Sequence, residues 1–305
     1  MDIKSVILWG YPLHSHTHSY IHNAFKRAFE LLNYKCYWFD DNTPQIEYEN
    51  VISDKSLFIT EGRVSKNIVL NPKSYYLLHN CDMDKYRQAG IPEDHLLGLQ
   101  VFTKDCLPRS QQLNNSKFIR FDGKTLYMPW ATDLFPQEIE ENIKKIEVIS
   151  KSYKSVCHFV GMILDNPWKP CMQVCQKNNI SFASVGGFSG NNVSIEENIK
   201  RVQESLIAPA FQEPWQTTNG YIPCRIFKNI SYGKMGITNN EVVQELFEGK
   251  LIFNTDVSVA TQISIDNVQK GENIELLKEL MVEVKNNHTY LNRIEDIFQA
   301  FSKLK

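Results

Sequence analysis

The sequence predicts an α/β protein made of two Rossmann-like β-α-β halves followed by C-terminal helices. The first observation is an apolar strand at residues 3–10, a helical pattern at 19–32 and a second strand at 36–39. The second is that the same order of elements begins again at 154–160. The third is the length of 305 residues, which is enough for two domains of the usual size.

Composition narrows the class of protein. A hydrophobic content of 42% with 22% charged residues is typical of a globular chain. The formal net charge of −2 argues against sequence-independent nucleic-acid binding, which needs a basic surface, so no nucleic-acid partner is expected. The longest apolar runs fall well short of the ~20 residues that span a bilayer, so no transmembrane segment is expected.

The cysteines predict free thiols. Their number is odd, and their spacing contains no C-x-x-C pair, so the sequence indicates neither a disulfide framework nor a zinc site. They are Cys36, Cys81, Cys106, Cys157, Cys171, Cys175 and Cys224. Free thiols are typical of a reducing compartment, and we expect a cytoplasmic protein.

Polar side chains follow several strands of the first half. Strands are predicted at 56–60, 75–78, 96–103 and 124–128. In a parallel sheet the ligand crevice lies outside the carboxyl ends of the strands. The candidates at such ends are His14, His16, Glu61, His79 and Asn80.

Four histidines crowd the loop after the first strand, namely His14, His16, His18 and His22. His18 and His22 have the i, i+4 spacing of helical metal ligands, but no carboxylate stands at metalloprotease spacing, so we predict no metal. A histidine also suits a general base, because its pKa lies near neutrality. A third possibility is that these residues are surface or helix-capping side chains.

Residues 220–240 read as a loop, a short helix, a glycine stop at Gly233 and a buried strand. Arg225 and Lys228 lie near the start of that helix. A helix N-terminus offers unpaired N–H groups to an anion, and two neighbouring cations strengthen that preference. The segment therefore predicts a diphosphate site.

The same segment resembles the donor-binding domain of GT-B glycosyltransferases, most closely their group-1-like and CgeB-like branches. Members of these branches carry a Pro-x-Arg-Ile/Leu-Phe-Glu segment that is followed by a glycine. The residues of this chain that match the motif are Pro223, Arg225, Ile226, Phe227 and Gly233. Lys228 departs from the pattern, because many members have a ribose-binding Glu there. The C-terminal residues 286–298 resemble the His-Thr-Tyr-x-x-Arg helix that closes CgeB-like chains.

The resemblance implies two Rossmann-like domains facing a cleft, with an N-terminal acceptor-side domain at 1–135, a donor domain at 136–285 and a terminal helix at 286–305. It implies a glycosyltransferase of glycan biosynthesis that moves a hexosyl or deoxyhexosyl group from a UDP- or GDP-linked sugar. The acceptor would be a glycan, lipid or protein. No cofactor is expected. The missing Glu favours an inverting reaction, and Arg225 and Lys228 would stabilise the leaving diphosphate without a metal ion. The alternatives are a non-catalytic nucleotide-sugar binding protein and a sugar-nucleotide epimerase of the same fold.

Residue roles follow from this implication. The catalytic candidates are His16, His14 and Glu61, and the acceptor-side candidates are His79 and Asn80. Beyond the two cations Arg225 and Lys228, the donor-binding candidates are Tyr221, Gly161, Gly186 with Gly187, Gln212, Trp215 and Asn239. Trp215 could equally be a core residue, and Asn239-Asn240 could cap a helix. Asp82-x-Asp84 has DxD spacing but is predicted to be a helix-capping loop.

Overall fold

The computed structural model describes residues 2–102, 110–113, 116–161, 163, 165–186 and 193–304. The chain forms two compact units. The first unit comprises Met1–Pro129 and Tyr290–Lys305, and the second unit comprises Trp130–Thr289. Within the described part of the chain, no helix is long and apolar enough to cross a membrane.

The first unit is built on one large sheet. Its elements are β1 (Ser5–Trp9), α1 (Thr17–Leu31), β2 (Lys35–Phe39), α2 (Gln45–Tyr48), β3 (Ser56–Glu61), β4 (Tyr75–His79), α3 (Met83–Gln88), β5 (Leu96–Gln100), β6 (Gln111–Leu113), β7 (Ser116–Phe121), β8 (Thr125–Tyr127) and the last helix of the chain, α13 (Tyr290–Lys303). The strand order is β2-β1-β3-β4-β5-β8-β7-β6. The pairs from β2 to β8 are parallel, and β7 pairs antiparallel with both neighbours. The sequence reading missed β6 and β7.

Helix α1 shows how sequence produces this unit. Ala24, Phe25, Ala28 and Phe29 are buried on one helix face, as their spacing predicts. The helix ends at Leu31, and Asn33 adopts a left-handed φ of 65°, so its prediction as the helix stop is confirmed.

The C-terminal helix α13 packs in the first unit against α1. The ring of Tyr290 lies 4.6 Å from that of Phe25, edge to face. Arg293 is fully buried, and its Nε donates a hydrogen bond to the Pro129 carbonyl at 2.8 Å. Two residues of the C-terminal sequence motif therefore make internal packing and hydrogen-bonding contacts.

The second unit has smaller sheets. Its elements are α4 (Pro136–Lys144), α5 (Ile146–Ile149), β9 (Lys154–Val160), α6 (Asp165–Lys177), β10 (Ser181–Val185), α7 (Ile195–Gln203), β11 (Ser205–Ile207), α8 (Pro214–Thr218), α9 (Cys224–Ser231), β12 (Ile237–Thr238), α10 (Glu241–Leu246), β13 (Ile252–Phe253), α11 (Val257–Lys270) and α12 (Ile274–Asn287). Strands β10-β9-β11 form one parallel sheet, and β12-β13 form a second parallel pair.

The structure differs from the sequence pattern at two places in this unit. Residues 137–151 have the pattern of a single helix, but they form two, α4 and α5, because the chain leaves helical geometry at Lys145. Residues 210–220 have the pattern of a long loop, but they contain α8, whose first helical residue is Pro214. Proline is favoured at that position because its fixed φ suits a helix start and its missing N–H has no helical partner there.

Helix α9 forms as its apolar spacing predicts. Ile226, Phe227 and Ile230 are fully buried. Gly233 follows the helix with φ of 94°, and a Cβ there would lie 2.9 Å from Ile146 Cδ1. Only glycine fits both the left-handed backbone and the close approach, so the predicted stop is confirmed.

Candidate active site

The first unit places a buried carboxylate between two histidines. Glu61 and His79 are the last residues of β3 and β4, and they are paired in register across these neighbouring parallel strands. His79 Nδ1 lies 2.7 Å from Glu61 Oε2, and His18 Nδ1 from the first turn of α1 lies 2.8 Å from the same oxygen. The Asn80 amide donates to Glu61 Oε1 at 3.3 Å. The sheet order therefore assembles a His18–Glu61–His79 cluster at the carboxyl edge of the strands.

The cluster fixes the charge state of Glu61. Burial by itself raises the pKa of Glu61, but the contacts with His18 and His79 outweigh it and hold that pKa well below its usual range. For His79, burial lowers the pKa and outweighs the opposing effect of Glu61. Glu61 is thus an ionised carboxylate with no exposed surface, while the His18 side chain is 22% exposed. This arrangement makes Glu61 suited to orienting a histidine and unsuited to accepting a proton itself.

The sequence predicts His16 and His14 as catalytic residues. The structure gives each of them contacts of its own. His16 Nδ1 accepts from the His18 backbone N–H at 3.2 Å and so caps α1. Its ring stacks on Tyr11 at 4.1 Å, and burial lowers its pKa. His14 is exposed, and its Nδ1 lies 3.1 Å from the Tyr20 hydroxyl. The sequence names His18 among the four loop histidines but gives no reason to prefer it, because only the β1-β3-β4 order brings the start of α1 against Glu61.

His22 is a core residue. It is 4% exposed, and a Cβ on Gly10 would lie 2.0 Å from its Cε1. Burial lowers the pKa of His22 to about 3, so the ring is neutral in the folded chain.

A cavity of about 270 Å³ lies at the same carboxyl edge of the sheet, lined by Gly10, Pro12, Trp38, Phe39, Asp40 and Thr43.

The second unit places an arginine against two glycines. Gly161 and Gly186 directly follow β9 and β10, with φ of 139° and 87°. A Cβ on Gly161 would lie 3.1 Å from Arg225 Nη2, and one on Gly186 would lie 3.7 Å from the Gly161 nitrogen. Three residues predicted from sequence to bind the donor therefore lie together at the carboxyl ends of two parallel strands, where open α/β sheets bind their ligands.

Arg225 lies in the first turn of α9 in a partly apolar setting. Its guanidinium carbon is 4.1 Å from the Phe159 ring centroid, and Nη1 donates to the Phe211 carbonyl at 3.2 Å. Burial lowers the pKa of Arg225 to about 10, which still leaves it charged at neutral pH. The result is one fixed cation beside two glycine-lined strand ends.

Known proteins provide a comparison at the level of fold. No protein-family model and no curated protein sequence matches the chain. An alpha-glucosyltransferase solved in complex with UDP and a 13-mer DNA containing a central A:G mismatch is similar, with a TM-score of 0.64, 8% identity and coverage of 99% of this chain and 100% of that one. A glycosyltransferase from Rickettsia africae ESF-5 has a TM-score of 0.51, 14% identity and coverage of 99% of both chains.

The chain has a GT-B-like glycosyltransferase fold. This confirms the α/β fold class of two Rossmann-like units that the sequence predicted. The neighbours are too distant in sequence to assign more than the fold, so the roles of individual residues depend on the geometry of this chain.

In this GT-B-like chain, Lys228 has a carboxylate partner within its own unit. Its Nζ lies 2.8 Å from Asp133 Oδ2, and the Tyr232 hydroxyl donates to the other Asp133 oxygen at 2.6 Å. Burial by itself raises the pKa of Asp133, but Lys228 and Tyr232 outweigh it and lower that pKa. The charge of Lys228 is therefore compensated locally by Asp133.

The remaining donor candidates fall into two groups. Gln212 is buried, and its amide donates to the Tyr221 carbonyl and accepts from Asn240, both at 2.9 Å. Asn239 pairs with the backbone of Gln212 through both side-chain atoms, and Asn240 caps α10, as one alternative anticipated. The hydrogen bonds of these side-chain amides stabilise the loop before α9. Trp215 is 53% exposed, so its core alternative was wrong.

Gly187 lies outside the described residues. Asp82 accepts from the Asp84 N–H and caps α3, so the capping prediction for the DxD-spaced pair is confirmed.

Among the residues that the structure describes, two groups of side chains have the composition of metal ligands. His18 Nδ1, Glu61 Oε2 and His79 Nδ1 form an N,N,O set, and Cys157, Cys171 and Cys175 form a three-sulfur set. Atoms within each group lie within 4.8 Å of one another. The first set could bind a divalent transition metal and the second a softer ion. The expectation of a metal-free active site stays a prediction.

Proposed function

We propose that this chain is a glycosyltransferase that transfers a sugar from a nucleoside diphosphate sugar to a hydroxyl acceptor. The observation that carries the proposal is the placement of Arg225, which lies in the first turn of α9 with its Nη2 against Gly161. A guanidinium offers several N–H donors to phosphate oxygens, and glycines let a phosphate approach the backbone. The UDP bound to one similar alpha-glucosyltransferase supports the choice of a uridine nucleotide as the first donor to test.

Our candidate base is His18, with Glu61 and His79 as positioning residues. A carboxylate that contacts one imidazole nitrogen fixes the tautomer and leaves the other nitrogen for proton transfer. His18 is the more exposed of the two histidines, since the side chain of His79 is 8% exposed. We do not propose His16 or His14 as the base, although the sequence predicts them in that role, because their contacts are at the start of α1.

The proposed reaction is a single displacement. The His18 imidazole accepts the acceptor hydroxyl proton while that oxygen bonds to the anomeric carbon of the sugar. The bond from this carbon to the diphosphate oxygen breaks, and the electron pair leaves with the diphosphate. One displacement inverts the anomeric configuration. None of these steps requires a metal ion.

The finer assignments are also proposals. We place the chain with the group-1-like or CgeB-like branch, supported by its two sequence motifs. The donor is a UDP- or GDP-linked hexose or deoxyhexose, and the acceptor is a glycan, lipid or protein that supplies the hydroxyl. Nucleic acid is a less favoured acceptor because of the net charge of −2, although one similar alpha-glucosyltransferase was solved with DNA.

The proposal is tested with the full chain, a panel of UDP- and GDP-sugars and a mixed pool of acceptors. A donor should raise the thermal unfolding midpoint, because a ligand that binds only the folded form at a hundred times its Kd adds about 2.7 kcal/mol. Nucleoside diphosphate release should depend on the acceptor. Arg225→Ala should lower the transfer rate by about 30- to 1000-fold, the equivalent of 2–4 kcal/mol.

Arg201→Ala is the matched control, since Arg201 forms an exposed ion pair with Glu197 on α7 of the same unit. It should transfer normally. Donor binding without turnover would favour the non-catalytic reading, and donor rearrangement without an acceptor would favour an epimerase. Normal transfer by Arg225→Ala would remove the proposed diphosphate site.

A further inference from the structure

Three cysteine thiols converge in the core of the second unit. Cys157 lies in β9, and Cys171 and Cys175 lie four residues apart on α6, which places them on one helix face. All three residues have no exposed surface. Their Sγ atoms lie within 4.8 Å of one another, and those of Cys157 and Cys171 are 4.0 Å apart. The proposed transfer reaction makes no use of these thiols.

The surroundings of this thiol cluster are largely apolar, apart from the buried Thr261 hydroxyl that contacts Cys171. The buried residues of the same core include Phe159, Trp168, Ile180 and Val257. Such a site disfavours ions that need water or carboxylates and favours a soft ion held by sulfur alone.

The 4.0 Å between the Cys157 and Cys171 sulfurs fits trigonal coordination, and the third sulfur lies within 4.8 Å of both. A metal–thiolate bond of about 2.3 Å, repeated in a trigonal set, places the sulfur atoms about 4.0 Å apart. Structural zinc sites require four ligands. Among the described residues, the group of ligating atoms has three members and no fourth His, Cys, Asp or Glu atom. Three sulfur ligands suit Cu(I) better than zinc.

We propose that Cys157, Cys171 and Cys175 form a buried site for one soft monovalent metal ion of the Cu(I) class. On binding, each thiol that coordinates the metal loses its proton to solvent as its S–H bond breaks and its metal–sulfur bond forms. The oxidation state of the metal does not change, so no oxidant or reductant is consumed.

The test uses the full chain, unfolded and refolded without oxygen in the presence of Cu(I) and a competing chelator, because the closed core must open for loading. We expect one copper per chain after gel filtration, with X-ray absorption showing sulfur neighbours at about 2.3 Å. Cys157→Ala and Cys171→Ala should each weaken binding at least tenfold. Cys36→Ala is the control, since that partly buried thiol belongs to the first unit and should leave binding unchanged.

Two further measurements keep the result decisive if an alanine variant folds poorly. The thermal unfolding midpoint of the unaltered chain should rise with free Cu(I) and not with free Zn(II) at the same concentration. Cys175→Ser, which keeps the side-chain volume close to that of cysteine, should abolish this rise. Copper bound through nitrogen or oxygen, equal binding by Cys157→Ala and Cys36→Ala, or no stoichiometric copper in the unaltered chain would each overturn the proposal.

Discussion

The two units carry their candidate chemistry at the same place in the fold but by different means. In the first unit, the ends of β3 and β4 present side chains, with Glu61 held between two histidines. In the second unit, the ends of β9 and β10 present glycines, and one cation, Arg225, reaches them from α9. A proton acceptor must be a side chain, whereas a phosphate binds where the backbone is accessible. The comparison shows how one edge of a parallel sheet can be adapted to either demand.

The largest expected effect comes from His18. His18→Ala should lower the transfer rate by about 10²- to 10⁴-fold, which is the usual contribution of general base catalysis. Donor binding should persist, because the proposed diphosphate contacts belong to the second unit. Parallel rate assays and calorimetry with a UDP-sugar check this separation.

His14→Ala, which alters an exposed histidine of the same loop, is the control and should retain most activity. If donor affinity fell in step with the rate in His18→Ala, the division of labour between the units would be wrong.

Glu61→Ala addresses the carboxylate of the first unit. Losing a buried, hydrogen-bonded carboxylate should lower the free energy of unfolding at pH 7 by about 1–3 kcal/mol. Glu93→Ala, at an exposed ion pair with Arg87, should cost at most about 1 kcal/mol. Urea unfolding of the three proteins gives these values.

The effect of Glu61→Ala on the free energy of unfolding should depend on pH. The pKa of Glu61 is depressed in the folded chain, so its contribution to stability is present above the unfolded pKa of about 4.3 and is lost as the pH falls toward the folded pKa. The difference between the unaltered chain and Glu61→Ala should therefore shrink below about pH 4. A constant difference across that range would mean that the carboxylate is not ionised.

Gly161→Ala tests the glycine side of the comparison. The new Cβ would lie 3.1 Å from Arg225 Nη2 on a backbone with φ of 139°. Displacement of the guanidinium should weaken donor binding by about tenfold, or ~1.4 kcal/mol, measured by calorimetry. Gly123→Ala has a φ of 100° with no neighbour within 4 Å, so it shares the backbone strain but not the collision. Equal donor affinities of Gly161→Ala and Gly123→Ala would show that Gly161 does not belong to the donor site.

The smallest effect is expected at Lys228. Lys228→Met removes a cation whose partner is Asp133, so donor affinity should change less than about twofold, while stability falls as the buried carboxylate loses its partner. Isothermal titration with the donor measures this change. If both cations bound the diphosphate, as the sequence predicts, Lys228→Met would lose nearly as much donor affinity as Arg225→Ala.

The sequence by itself determined the α/β class, the order of most elements and the stops at Asn33 and Gly233, because periodicity, caps and left-handed residues act within a few positions of the chain. It also located Arg225, since a cation at a helix start is visible in a single segment. Short antiparallel strands such as β6 and β7 escaped it, because they lack strong local signals.

Only the tertiary structure decided the partners. His18, Glu61 and His79 are separated by as many as 61 positions in the chain, and the parallel order of β1, β3 and β4 brings a nitrogen of each histidine within 2.8 Å of the Glu61 carboxylate. Asp133 neutralises Lys228 across 95 positions, and Cys157 of β9 meets Cys171 and Cys175 of α6. Charge compensation and ligand convergence depend on distance in space, which a single sequence does not encode position by position.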